Sequence, residues 1–84
     1  MEFCLITFRS VTPAQRGESL LKRQGILCSL QRTPRVLADR GCGYSLRLRR
    51  SDLAQSLELL RQRGIAFGKA YCMDADGSPE EIGL

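Results

Sequence analysis

The chemistry open to this chain rests on four cysteines, Cys4, Cys28, Cys42 and Cys72, because its 84 residues contain no histidine. Without histidine there is no Ser/His/Asp triad and no histidine-activated thiol. No two cysteines stand in a C-x-x-C pair, which argues against a structural zinc site, and neither a metal nor a cofactor is expected. Cys42 differs from the other three in its neighbours. Gly41 and Gly43 flank it, so there is little bulk beside the sulfur and backbone N–H groups are free to turn towards it. Arg35 and Arg40 lie close in sequence. A positive field and aligned amides both favour thiolate over thiol, and thiolate is the nucleophile. Sulfur transfer needs no more than this: a thiolate takes up a sulfur or selenium atom as a persulfide-type adduct and passes it on. Cys42 is therefore the candidate chalcogen-carrying thiol, with Arg35, Arg40, Gly41 and Gly43 as its binding residues. The bland alternative is a turn holding a small residue. Cys4, Cys28 and Cys72 fall on expected strands, where cysteine acts as a small buried hydrophobe. In a reducing compartment all four are expected as thiols rather than as a disulfide framework.

The elements that must position Cys42 come from an internal repeat. Leu20-Leu21-Lys22-Arg23-Gln24-Gly25-Ile26 is echoed 39 residues on by Leu59-Leu60-Arg61-Gln62-Arg63-Gly64-Ile65. Each half reads as strand, capped helix, glycine stop, strand. Glu2–Phe8 is a β-rich run. Thr12-Pro13-Ala14-Gln15 has the form of a helix start, with Thr12 as N-cap and Pro13 at N1, and Gly25 supplies the stop. Ile26–Gln31 reads as the second strand. Tyr44, Leu46 and Leu48 then alternate with Ser45, Arg47 and Arg49, a clean period of two. Ser51 is the expected cap of a helix bearing Leu53, Ala54, Leu57 and Leu60, which Gly64 ends. Ile65–Met73 reads as a last strand, weakened by Gly68. The order β-α-β-β-α-β gives an α+β, ferredoxin-like fold: a four-stranded antiparallel sheet with two helices on one face. Ser45, Arg47 and Arg49 are then expected on the open face, with Arg47 and Arg49 as an anion- or partner-binding surface. Strand one, apolar on both sides, predicts exposed apolar surface there unless something covers it. About eleven residues, 33–43, join strands two and three, far more than a hairpin needs, and this loop holds Cys42.

Charge divides the chain at residue 73. Residues 1–73 hold all thirteen Lys and Arg against five acids, whereas 74–84 hold Asp74, Asp76, Glu80 and Glu81 and no base. The reading is one ferredoxin-like domain over 1–73 and an acidic C-terminal tail over 74–84. A basic face of this kind suits an anionic partner. No segment has the length of a membrane span and the first apolar run is too short for a secretory signal, so the cytoplasm is the expected location.

Thr7-Phe8 on a short strand, a helix ending Leu20-Leu21 before Gly25-Ile26, then Pro34-Arg35, Cys42-Gly43, and a second helix before Gly64-Ile65 together resemble the selenium/sulfur carrier-like family of small bacterial proteins. The resemblance spans about residues 3–72, and its most specific parts are Pro34-Arg35 and Cys42-Gly43. It implies a cysteine at 42 that carries selenium or sulfur, with Arg35 beside it, and hence a donor protein, an acceptor enzyme and a relay rather than a catalyst. Asp39-Arg40-Gly41 departs from the small hydroxyl residues the family leads one to expect there.

Two other functions compete. Arg40-Gly41-Cys42-Gly43-Tyr44-Ser45-Leu46-Arg47 partly fits the signature of an RNA-recognition motif, which shares this element order. The stacking positions there offer only Cys42, Tyr44 and Leu46, a poor platform for bases, and this counts against nucleic acid as a partner. A homodimeric interaction or regulatory domain, pairing through the open sheet face or an edge strand, is the other.

Overall fold

The computed structural model describes residues 3–35, 37, 43–74 and 76–82. The chain is α+β, with two helices and a five-stranded antiparallel sheet. β1 (Phe3–Phe8), α1 (Val11–Arg23), β2 (Cys28–Arg32), β3 (Tyr44–Arg49), α2 (Leu53–Gln62), β4 (Ala70–Met73) and β5 (Pro79–Ile82) follow in chain order, and the strands lie in the order β2-β3-β1-β4-β5. The expected four-stranded sheet is thus corrected to five. The segment read as an acidic tail folds back at Gly77, whose φ of 86° suits glycine alone, and pairs Pro79–Ile82 antiparallel with β4. β5 carries Pro79, Glu80 and Glu81, which suit an outer strand.

One face of the sheet meets both helices. Cys4, Ile6 and Phe8 of β1, Leu46 and Leu48 of β3, and Ala70 and Cys72 of β4 pack with Ala14, Leu20 and Leu21 of α1 and Leu53, Leu57 and Leu60 of α2. The period-two reading of β3 is what the structure has. Leu46 and Leu48 are buried under the helices, while Arg47 and Arg49 are exposed on the other face. The two helix ends close with the same pair of bonds. Gly25 N–H donates to Lys22 C=O (3.0 Å) and Ile26 N–H to Leu21 C=O (2.9 Å); 39 residues later Gly64 donates to Arg61 (3.1 Å) and Ile65 to Leu60 (3.0 Å). Both glycines have positive φ, 80° and 65°. Both isoleucines are buried, as are Leu21 and Leu60, completing the hydrophobic contact of this glycine stop.

The helix starts differ from expectation. α1 begins at Val11 with Ser10 as N-cap, so Thr12 and Pro13 lie inside its first turn, where proline's missing N–H leaves no intrahelical bond unmade. Ser51 lies in a 3₁₀ turn, Arg50–Asp52, and Asp52 is the N-cap of α2. The last long strand is shorter than expected because Thr7 intervenes. Its hydroxyl accepts the Lys69 N–H (2.9 Å) and donates to Lys69 C=O (3.1 Å), and β4 starts only at Ala70.

The expectation of four thiols is also corrected. Cys4 and Cys72 stand opposite each other in the β1–β4 ladder and are joined by a disulfide, with Cα atoms 4.0 Å apart. Cross-strand neighbours bring their Cβ atoms within bridging reach.

Candidate functional site

The loop bearing Cys42 connects β2 to β3. Its described ends are tied together. Thr33 N–H donates to Gly43 C=O at 3.0 Å, carrying the ladder one step beyond the Arg32–Tyr44 pair. The Thr33 and Ser45 hydroxyls share a buried hydrogen bond of 2.7 Å. Leu37 N–H donates to Pro34 C=O at 2.8 Å, and the Leu37 side chain is buried. The described part of the loop therefore has a pinned root and, in Leu37, an apolar anchor. Arg35 is exposed within that turn. Gly43 is half-buried, has no positive φ, and a Cβ there would meet nothing within 4 Å. Neither backbone strain nor crowding by the described residues demands glycine at 43. Arg40, Gly41 and Cys42 lie outside the described residues.

Arg47 and Arg49 stand away from the described C-terminal end of this loop. At about 3.3 Å of rise per residue they stand roughly 13 and 20 Å along β3 from Gly43. Both cations are engaged within the chain. The Arg47 guanidinium lies 3.9 Å from the centre of the Phe3 ring, and Arg49 Nε is 3.2 Å from Asp52 Oδ2. The apolar surface expected from β1 is largely covered. Leu5, flanked in register by Arg47 and Tyr71, is fully buried, and Phe3 is half-buried. Leu27, 70% exposed, is the one large exposed hydrophobe among the described residues. Tyr44 and Leu46, the stacking positions of an RNA-recognition surface, pack on the helix side of the sheet, which removes both from stacking bases.

Cys28 is the free cysteine among the described residues, half-buried on β2. Its Sγ is 3.9 Å from the Glu18 carbonyl oxygen. Burial pushes this thiol up from its ordinary value, nearby Glu18 adds to the rise, and Lys22 opposes it. A raised thiol is a poor nucleophile at neutral pH. Glu18 has a further part, since its carboxylate accepts the Leu30 N–H (3.2 Å) on the outer strand β2 and pairs with Lys22 (3.3 Å). Among the described residues no group of three or more Cys, Asp or Glu could hold a metal ion, and no helix is long and apolar enough to cross a membrane.

No curated protein and no solved structure was found to match the chain. A family model does match. It covers residues 3–72, from the first residue of β1 to the second cysteine of the disulfide, and so takes in both helices, β1 to β4 up to Cys72, and the whole loop from Thr33 to Gly43. The chain belongs to the family described as "putative Se/S carrier protein-like".

Proposed function

We propose that this chain is a selenium or sulfur carrier that holds the atom on Cys42. Membership of the family is the observation that carries the reading, and the tied loop root gives it a physical setting: a rigid hairpin base beside a cysteine between two glycines. In the transfer step the Cys42 thiolate attacks the outer atom of a donor persulfide, R–S–SH, or its selenium counterpart, R–S–SeH. The S–S or S–Se bond of the donor breaks, the donor leaves as R–S⁻, and Cys42 becomes the persulfide-type adduct. The chalcogen changes hands with no net oxidation or reduction. An acceptor nucleophile then takes it by the same displacement. Arg35 and Arg40 would stabilise the anion, with Gly41 and Gly43 leaving the sulfur open to both partners. Such a relay needs a free thiol, so the cytoplasm is the compartment the reading requires. The Cys4–Cys72 bond can persist there because both residues are buried, with exposures of 0% and 1%.

Incubation with a cysteine desulfurase and cysteine, or with a persulfide-type selenium donor, is expected to add the mass of one chalcogen atom, and Cys42→Ser to add none. Iodoacetamide at neutral pH should label Cys42 well before Cys28. Labelling of Cys28 should rise only as pH climbs above the ordinary thiol range, since the fold holds its proton. By the same linkage, the stability drawn from a protonated Cys28 is present below its unfolded pKa and fades as pH passes the raised folded value. Equal labelling of the two cysteines, or a mass gain that survives Cys42→Ser, would remove the proposal.

A further inference from the structure

On the helix side of the molecule, far in sequence from the loop, lies a groove of about 370 Å³. One wall is a stripe of α1 running from Thr12 to Arg23 and including Arg16 and Ser19. Arg63 lines it from the segment that follows α2, and Leu20 and Ile65 contribute the apolar part of its lining. These α1 positions recur every three or four residues, on a different side of the helix from the buried Ala14, Gly17 and Leu21.

The three arginines have no carboxylate partner among the described residues. The ion pairs found there, Lys22–Glu18, Arg49–Asp52, Arg61–Glu58 and Lys69–Glu81, engage other cations. The groove is thus a concave surface where uncompensated guanidinium groups meet hydroxyls. Arginine, unlike lysine, presents a planar fork that takes carboxylates two bonds at a time. The stripe from Thr12 to Arg23 is about 16 Å long at 1.5 Å per residue, the reach of roughly five residues of extended chain. Arg16 and Arg23 are two helical turns apart, so these two cations are spread along the groove and not gathered about one point. No aromatic side chain lines the groove, so it offers nothing for a nucleobase to stack upon.

We infer that this groove binds an extended acidic segment of a partner protein. It adds a docking site to the carrier reading and rests on that reading only for which proteins carry the segment, namely a chalcogen donor or acceptor. Docking here would hold a partner by charge, which favours fast, salt-sensitive encounter.

The test is the fluorescence anisotropy of a fluorescein-labelled oligoglutamate peptide at low salt. The wild-type chain is compared with R16E/R23E/R63E and with R9E/R61E/K69E, which changes net charge equally at exposed positions outside the groove. Groove reversal is expected to weaken binding at least about tenfold more than the control. R16Q/R23Q/R63Q should show a similar loss, which keeps the test open if charge reversal disturbs folding. Cys42→Ser should bind the peptide as wild type does while taking up no chalcogen, so docking and carrier chemistry fail separately. Equal losses in the two reversed variants, or no binding by wild type, would overturn the inference. So would tighter groove binding of inorganic tripolyphosphate, which would assign the site to a phosphate ligand.

Discussion

Gly17 is where α1 comes closest to the rest of the core. A Cβ there would stand 3.1 Å from Leu60 Cδ2, 3.3 Å from Leu46 Cδ1 and 3.4 Å from Phe8 Cζ. All three neighbours are fully buried and none can swing out into solvent. Alanine would bring about 1 kcal/mol of helix propensity, against about 1–3 kcal/mol for overpacking a filled site. Gly17→Ala is therefore expected to lower stability by about 1 kcal/mol in urea denaturation. A gain instead would mean that α1 can ride outward on the sheet. Ser56, 39 residues on, is likewise fully buried, so the repeat places a small residue at the same step of both helices.

At the scale of elements, the hairpin of β2 and β3 depends on the Thr33–Ser45 hydroxyl pair. Removing one partner strands the other without a bond inside the protein. Ser45→Ala and Thr33→Val should each cost about 1–2 kcal/mol, and the double variant little more than either alone. Strict additivity in that thermodynamic cycle would show that the bond is not what ties the loop root. This element was only partly legible in the sequence. The alternation of Tyr44–Arg49 announced β3, and Gly25 and Gly64 announced both helix ends, because each is a local signal with a local cause. The Thr7 hydroxyl that cuts β4 short acts across 62 residues and leaves no local trace. β5 was hidden too, since Pro79-Glu80-Glu81-Ile82 has no apolar alternation and is a strand only because β4 offers it an edge. For the site, two glycines and two arginines around Cys42 were readable from spacing. The guanidinium groups of Arg16, Arg23 and Arg63 share a groove only once α1 and the segment after α2 lie side by side.

For the whole molecule, the largest correction to the sequence reading is the bond between Cys4 and Cys72. Nothing local marks a pair separated by 68 residues, and their meeting is decided by strand register. On chain entropy alone, closing a loop of that length contributes about 4 kcal/mol by restricting the unfolded chain. Cys4→Ala/Cys72→Ala should therefore lower the unfolding free energy by several kcal/mol, a large share of what a small domain possesses. In wild type, dithiothreitol without denaturant should leave the bond intact, as read by mass after alkylation. Rapid reduction of the folded protein would show that the sulfurs are reached by local opening.

That bond makes residues 4 to 72 a covalent ring, which also encloses the loop with Cys42. One peptide cleavage anywhere within the ring would leave a single molecule, its two pieces still joined through sulfur. β5 lies outside the ring, so cleavage beyond Cys72 leaves the circle closed.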